Sequence, residues 1–337
     1  MMNKAIHLLL ILPLLSLSGC LTHPNKEPEW VSNPKIAYPE NLFLVALGTG
    51  DTRRAAENSA AASLARIFES HIESYEQLHN QFRETTTHFE YTSDFSSDIQ
   101  IISSQTLFNI QHAEAWKDPL NRYHAVAYLN RRDTAEIYRD KISVETTRVN
   151  FLKAELKKSD DLLTTYATLR AANAHAKEAA QLLRQLQVIH LRSVPDATPS
   201  YSLNQLRKAL ADTAKQIKVQ IEVDGDEDQR MMATLQAFMT RYGFVIGEPM
   251  VLGIQAAVEI TDTGERAQGL VFVRYELMLQ IKDSNGDVLI TVHDQGREAH
   301  KTMDQARIRS FRTLENAIKA GGSQRLDTYF DSLTDQP

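Results

Sequence analysis

Cysteine is almost absent from this 337-residue sequence, which contains one, and tryptophan occurs only twice. A single cysteine excludes a disulfide framework and a cysteine-rich zinc cluster, because both need several sulfur atoms. An excess of basic charge is also absent, since 37 Lys and Arg stand against 43 Asp and Glu. We therefore expect no nucleic acid among the partners. With 42% hydrophobic residues, the chain can bury enough apolar surface for about two folded domains.

Motifs for catalysis are missing as well. The sequence has no Gly-x-Ser-x-Gly, no P-loop and no His-Glu-x-x-His. The first two motifs supply a nucleophile and a phosphate cradle, and the third supplies a pair of zinc ligands. We therefore expect a protein that is not an enzyme and that has no cofactor and no catalytic or metal site. Beyond residue 20, no segment approaches the roughly twenty continuous apolar residues that cross a bilayer.

The first twenty residues carry the strongest signal in the sequence. Lys4 precedes a mainly apolar stretch from Ala5 to Leu17, which is too short to cross a hydrocarbon core of about 30 Å. These features are typical of an export signal, residues 1–19. The stretch ends in Leu17-Ser18-Gly19-Cys20, which resembles the bacterial lipobox. That resemblance implies that Cys20 is acylated on its sulfur and becomes the mature N-terminus.

Acylation of Cys20 would make the membrane the first partner of the protein. Each buried CH₂ contributes about 0.8 kcal/mol, so two or three acyl chains hold a protein on a bilayer without further contacts. The mature chain would have 36 basic and 43 acidic residues, a net charge of −7, because removal of the signal takes away only Lys4. The acyl chains alone would therefore provide the attachment. Leu21 replaces the Asp of an inner-membrane retention signal, which by analogy favours the outer membrane, facing the periplasm.

The fold class predicted for the mature chain is α+β, with two small lobes of antiparallel sheet and packed helices separated by a long helical hairpin. Residues 20–40 contain Pro24, Pro28, Pro34 and Pro39, which favour an extended stalk after the lipid. The first lobe covers residues 41–132. Its predicted elements are a strand at 42–47 turned by Gly48 and Gly50, a helix at 53–82 capped by Asp51 or Thr52, a polar loop at 83–98, an extended segment at 99–116, a turn at 118–121 and a strand at 123–129.

A helical hairpin is predicted for residues 133–193, because residues 134–192 contain neither Gly nor Pro and their apolar positions fall near heptad spacing. The segment Ser159-Asp160-Asp161 can cap the second helix. The Ala-rich seam, which includes Ala172 and Ala176, can pack within the chain or against another copy, so a homo-oligomer remains open.

The second lobe, residues 201–337, follows a loop at 193–200. Its predicted elements are a helix from Leu203, a strand at 218–223, a helix at 227–242, strands at 254–260, 271–281 and 288–292 with turns at Thr263-Gly264 and Asn285-Gly286, and a helix at 302–320 with Ile308, Phe311, Leu314 and Ile318 facing inward.

Residues 28 to about 132 resemble the Lpp-twenty-type family of bacterial envelope lipoproteins, which also includes FlgP-type lipoproteins of the flagellar basal disk. The matching segments are Pro28-Glu29-Trp30-Val31, Asn33-Pro34, Gly48-Thr49-Gly50, the helix through Ala60, Ala61, Leu64 and Ala65, Trp116-Lys117-Asp118 and Tyr123-His124-Ala125-Val126-Ala127. The family usually has a Gly in the hairpin turn, where this chain has Pro119-Leu120-Asn121. The resemblance implies a structural or assembly factor at the outer membrane.

Four weaker patterns have a structural and a functional interpretation. Gly48-Thr49-Gly50 can be a plain turn or the start of a dinucleotide site, but Arg53 replaces the third glycine. Asp224, Asp226 and Asp228 can cap a helix or begin a calcium loop, which would need Gly at Gln229. The remaining two patterns are histidine groups that can be solvated side chains or metal ligands, namely His71 with His79, and His293, Asp294, Glu298 and His300.

The sequence therefore favours a lipid-anchored, non-enzymatic scaffold or assembly factor of the bacterial envelope. A second interpretation is a regulatory adaptor that contacts a peptidoglycan synthase or another envelope machine. The identity of an envelope protein partner does not follow from the sequence.

Overall fold

The computed structural model describes residues 26–84, 107–113, 115–226 and 228–334, with side chains 75–84 outside the description. It divides into a first unit up to Thr134 and a second unit from Ala135. Both units combine helices with a sheet, so the α+β prediction is confirmed. Among the described residues, no helix has the length and apolar character needed to cross a membrane. The predicted export signal and Cys20 lie outside the described residues.

The first unit begins with two helical turns, α1 (Glu29–Ser32) and α2 (Pro34–Ala37). The extended conformation predicted for 20–40 is therefore wrong at these residues. Pro34 occupies the first turn of α2, where proline needs no hydrogen-bond donor and its fixed φ suits a helix start. Tyr38, directly after α2, packs against Phe43 and Tyr128 with ring centroids 5.6 and 4.8 Å away. This segment is thus part of the folded unit.

Strand β1 (Phe43–Gly50) continues through the glycines that were predicted to turn the chain. The helix α3 (Arg53–Glu84) follows, and the backbone N–H of Ala55 donates to Thr52 Oγ1 at 3.2 Å, which confirms the Thr52 cap. A Cβ on Gly48 would lie 2.1 Å from the backbone nitrogen of Ala60. The glycine therefore serves close packing of a strand against a helix, and this correction also removes the basis for a dinucleotide-binding turn.

The sheet of the first unit is built around β4 (Tyr123–Asn130), which pairs antiparallel with β1 along its whole length. Two short strands, β2 (Gln111–His112) and β3 (Trp116–Lys117), pair with β4 on its other side. The predicted return of the chain after a turn at 118–121 is confirmed, and Asn121 adopts φ 65° in that turn. Most of the predicted loop at 83–98 and of the extended segment at 99–116 lies outside the described residues.

Two long helices, α4 (Arg131–Glu155) and α5 (Leu162–His190), confirm the predicted pair. Asp161 caps α5, because its Oδ2 accepts from the backbone N–H of Thr164 at 2.7 Å. The structure places residues 135–193 in the same compact unit as the C-terminal elements. Residues 194–197, predicted as loop, form the helical turn α6 (Val194–Ala197), with a proline in its first turn.

The second unit contains a five-stranded sheet in the order β6-β5-β7-β8-β9. Its strands are β5 (Lys218–Asp224), β6 (Val245–Ile246), β7 (Leu252–Ala267), β8 (Leu270–Asp283) and β9 (Val288–His300). The sheet is mixed, because β5 runs parallel to both β6 and β7. The predicted turn at Thr263-Gly264 is wrong, since β7 passes through it with a register shift between Asp262 and Arg266. The chain turns at Gln268 and Gly269, both with positive φ.

The helices α8 (Arg230–Thr240), α9 (Met303–Ala317) and α10 (Ser323–Ser332) pack against this sheet, whereas α7 (Leu203–Ala214) packs mainly against α5. In chain order, α7 precedes β5. Thr302 caps α9, and Phe311, Leu314 and Ile318 face the core as predicted. Ile308 is 40% exposed, which corrects its predicted inward position. The helix was predicted to end at residue 320, but the backbone continues through a π-helical turn (Ile318–Gly322) into α10, which was not predicted.

Candidate functional site

Cys20, the site residue predicted from the sequence, lies outside the described residues, so its acylation stays a prediction. The acidic loop before α8 serves as a helix cap: Asp226 Oδ2 accepts from the backbone N–H of Met232 at 2.8 Å. Asp228 lies 3.8 Å from Arg230. This arrangement agrees with the capping interpretation for Asp226, whereas Asp224 ends β5.

The histidines of the sequence patterns are dispersed or engaged with other groups. His293 Nε2 lies 3.0 Å from Glu276 Oε1 on the neighbouring strand, while Glu298 binds Arg309 at 2.8 Å. His71 is exposed on α3, and the side chain of His79 lies outside the description. Within the part of the chain that the structure describes, no group of three His, Cys, Asp or Glu side chains could hold a metal ion.

One serine–histidine contact occurs at the end of α5. His190 Nδ1 lies 2.7 Å from Ser193 Oγ, three residues further along the chain. A nucleophilic serine also needs a group that orients the imidazole through its other nitrogen. Among the described residues, no carboxylate is bonded to His190 Nε2. The contact therefore satisfies two polar side chains at a helix end.

A groove along α4 and α5 is the clearest candidate site. It has a volume of about 530 Å³. Its lining residues are Ser143, Val144, Glu145, Thr147, Arg148 and Phe151 of α4 and His175 of α5. Val144 is 66% exposed and Phe151 is 41% exposed, although both are large apolar side chains. The Arg148 guanidinium lies 5.7 Å from the centre of the Phe151 ring. The groove thus offers apolar surface beside one cation, which suits a protein partner.

The two helices that form the groove are held together beneath it. Val149 and Leu152 of α4 pack with Ala172 and Ala176 of α5, and all four side chains are at most 2% exposed. At the edge of the groove, Glu145 Oε2 and His175 Nδ1 are 2.7 Å apart. The Ala-rich seam predicted for these helices therefore packs within the chain. This packing leaves the opposite face of α4 open.

A polar cluster joins α5 to the C-terminal helix. Arg170 lies 2.9 Å from Asp327 and 3.2 Å from Asp331. Tyr242 donates to the same Asp327 at 3.2 Å, and Tyr166 donates to the backbone oxygen of Tyr242 at 3.3 Å. Burial raises the pKa of Tyr166 to about 12. The cluster links α5 to α10 and to Tyr242, which follows α8.

A second groove, of about 350 Å³, lies between α8 and α9. Its charged lining residues are Arg230, Arg241, Lys319 and Glu315. Lys319 lies 4.0 Å from Glu315, and Arg230 lies 5.9 Å from the ring of Phe311. Part of this positive charge is thus compensated within the groove.

The turn before β4 is organised around the carboxylate of Asp118. Asp118 Oδ1 accepts from the backbone N–H groups of Leu120 and Arg122 at 2.8 and 2.9 Å. Its Oδ2 lies 3.1 Å from His124 Nε2 and accepts from Arg122 Nε at the same distance. The hydrogen bond with His124, followed by those from Arg122, lowers the pKa of Asp118 to about 2 despite its burial. The carboxylate fastens the turn, which is a structural role.

Comparisons with known proteins add little to this geometry. No protein-family model matches the chain, and no curated protein matches it. The Lpp-twenty-type resemblance therefore stays a prediction. A crystal structure of a secreted protein from Helicobacter pylori is similar at 17% identity and a TM-score of 0.44, over 81% of this chain and 97% of that one. A minor lipoprotein from Acinetobacter baumannii is similar at 17% identity and a TM-score of 0.20, over 36% and 88%. Likeness at these values carries no functional argument.

Sequence reasoning missed the groove because it followed only one apolar series along α4. That series, Tyr138, Ile142, Val149 and Leu152, is the buried face of the helix. A second series was present in the sequence, at Ile137, Val144 and Phe151, each seven residues from the next. Its regular spacing on the other side of the helix was the signal for an exposed apolar surface.

Proposed function

We propose that this protein is a lipid-anchored, non-enzymatic scaffold or assembly factor on the periplasmic face of the outer membrane. The observation that carries the proposal is the sequence Leu17-Ser18-Gly19-Cys20 directly after a short apolar segment. An anchor of this kind restricts the protein to a surface and raises its effective concentration for partners on the same surface.

The length of chain between the anchor and the fold supports this role. Only eight residues separate Cys20 from Glu29, where α1 begins. At about 3.5 Å per residue, that stretch reaches at most about 30 Å. The first unit of an acylated chain would therefore stay close to the bilayer surface.

The groove on α4 favours a function in protein contacts. Its exposed Val144 and Phe151 lie on two helices that pack on each other, and a preformed surface lowers the entropic cost of binding. The same groove is the observation that favours the adaptor function, in which it receives a different envelope protein. In-cell crosslinking from the second unit separates the two functions: a scaffold is recovered mainly with its own copies, and an adaptor is recovered with one particular partner.

The anchor is tested by Cys20→Ala in the full-length chain, expressed in a Gram-negative host. We expect loss of fatty-acid labelling and release of the protein from the membrane fraction, because the acylated sulfur is gone. Leu21→Asp is the matched control, which should keep the label and move the protein toward the inner membrane. Unlabelled wild-type protein, or unchanged membrane retention of Cys20→Ala, would refute the anchored scaffold.

A further inference from the structure

The exposed face of α4 has the pattern of a helix-pairing seam. Val144 and Phe151 are exposed and Ile137 is half-buried, and these apolar residues repeat every seven positions. The positions three residues after them are Asp140, Thr147 and Ala154, all exposed. Apolar residues at every seventh position, with small or polar residues between them, can form the contact line of two helices. The inward residues of α4 lie on another face, so the seam is available to a partner.

The charges along the seam are arranged symmetrically. Asp140 lies four residues before Val144, and Arg148 lies four residues after it. Within the described residues, Asp140 has no ion pair, and Arg148 contacts only the ring of Phe151. Neither exposed charge therefore has an oppositely charged partner among the described residues.

Pairing of two identical helices in opposite directions satisfies all of these positions at once. About a two-fold axis at Val144, residue numbers that face each other always sum to 288. Val144 then meets Val144 of the partner subunit, Ile137 meets the partner's Phe151, and Asp140 meets the partner's Arg148. In an isologous contact, the Ile137–Phe151 and Asp140–Arg148 pairs each occur twice, whereas the Val144 pair lies on the axis and occurs once. A single two-fold axis therefore gives every apolar seam residue an apolar partner and gives Asp140 and Arg148 oppositely charged partners.

We propose that α4 pairs antiparallel with α4 of a second copy of this chain, about a two-fold axis at Val144. This inference deepens the proposed scaffold function, because it names the scaffold's partner and the surface that meets it. Three seam residues per copy make a small interface, which is weak in dilute solution. Anchoring both copies to one membrane raises their effective concentration and so favours the pair.

The proposal is tested by disulfide crosslinking in native membranes, with Val144→Cys in the otherwise unchanged full chain. The sulfur of acylated Cys20 is blocked by its thioether, so residue 144 carries the one free thiol. We expect an oxidant such as copper phenanthroline to convert at least half of the protein into a disulfide-linked dimer. Asn150→Cys is the matched control, since this exposed residue lies about 120° around the helix from Val144. It should give at least a tenfold smaller dimer fraction.

The direction of the pairing is tested with Asp140→Cys and Arg148→Cys. In the antiparallel pair, two copies of residue 140 lie about 12 Å apart along the axis, at 1.5 Å per residue. That distance exceeds the Cα separation of about 4.4–6.8 Å that a disulfide needs. Each single variant should therefore crosslink poorly, and co-expression of the two should give a mixed dimer. A parallel pair would instead crosslink each single variant well.

Exchanging the charges of Asp140 and Arg148 tests their predicted pairing without a cysteine at either position. In the Val144→Cys chain, Arg148→Asp should reduce the dimer at least tenfold, and the further change Asp140→Arg should restore it. A Val144→Cys dimer fraction no greater than that of Asn150→Cys would overturn the proposal, as would crosslinking mainly to another protein. Fatty-acid labelling of the same membranes is a separate measurement: a labelled protein that does not dimerise refutes only this inference, whereas an unlabelled protein refutes the anchored scaffold.

Discussion

The two units pack helices on sheets in opposite ways. In the first unit, α3 approaches β1 so closely that a Cβ on Gly48 would lie 2.4 Å from the backbone oxygen of Ala56. In the second unit, α9 and α10 contribute large side chains to the core, including Phe311, Leu314 and Phe330. The contact between α3 and β1 requires that Gly48 has no side chain, whereas the packing of α9 and α10 requires large side chains that fill the core.

Because of this difference, the two units should be destabilised by opposite changes in side-chain size. Adding one carbon atom should damage the first contact, because backbone atoms cannot move aside cheaply. Removing carbon atoms should damage the second, because a cavity remains where the ring was. The two units can be observed separately, since both tryptophans, Trp30 and Trp116, belong to the first unit. Tryptophan fluorescence therefore reports the first unit alone.

The largest effect is expected for Phe330→Ala in the second unit. The ring is 1% exposed and lies 4.9 Å from the ring of Tyr166 and 6.0 Å from that of Phe244. Its removal should lower the free energy of unfolding of the second unit by about 3–5 kcal/mol. The measurement is urea unfolding followed by far-ultraviolet circular dichroism and hydrogen exchange. Ile308→Ala, at a 40% exposed position of α9, is the control and should cost far less. Equal losses in the free energy of unfolding for Phe330→Ala and Ile308→Ala would contradict the explanation that large buried side chains stabilise this core.

Gly48→Ala should have the next largest effect, in the first unit. The added methyl group would overlap backbone atoms of α3, and overpacking of this kind costs about 1–3 kcal/mol. We expect the urea transition seen by tryptophan fluorescence to move to lower urea. Gly321→Ala is the matched control in the second unit, where a Cβ would meet nothing within 4 Å. A neutral Gly48→Ala would show that α3 and β1 do not need this close approach.

Asp118→Asn should have the smallest effect, and it should depend on pH. The pKa of Asp118 in the folded protein is about 2, against an ordinary value of 3.8. Its contribution to stability is therefore present above about pH 4 and is lost as the pH falls toward 2. The variant should be less stable than wild type at pH 7 and should lose less stability between pH 4 and 2, as followed by tryptophan fluorescence. Asp262→Asn removes a similar pairing from the second unit, and it should leave the fluorescence transition in place.

Local sequence signals predicted most of the helices. Thr52 and Asp161 each cap a helix where a cap was expected, because a capping side chain acts on backbone groups within three residues. Glycines misled the prediction in two places. Gly48 lies inside a strand and Gly264 lies in a strand irregularity, so the chain does not turn at either residue. Their roles depend on what packs nearby or on how strands align, which a local pattern does not contain.

The groove on α4 and α5 also combines features that the sequence shows with features that only the packing of the helices decides. The sequence contained the residues of the groove and the seven-residue spacing of Ile137, Val144 and Phe151. It did not show which apolar series of α4 would be covered by α5 and which would remain exposed. That choice belongs to the packing of Val149 and Leu152 against Ala172 and Ala176.

The sequence by itself determined the long helices, the caps at Thr52 and Asp161, most strand positions and the α+β class, and it also contains the lipobox-like segment at Cys20. These features follow from interactions between neighbours in the chain, so they can be recognised without a fold. Only the tertiary structure decided that β5 runs parallel to β6 and β7, that Gly48 admits a helix backbone, and that Val144 and Phe151 face outward. Each of these depends on contacts between residues far apart in sequence, and their free energies exist only when the chain is folded.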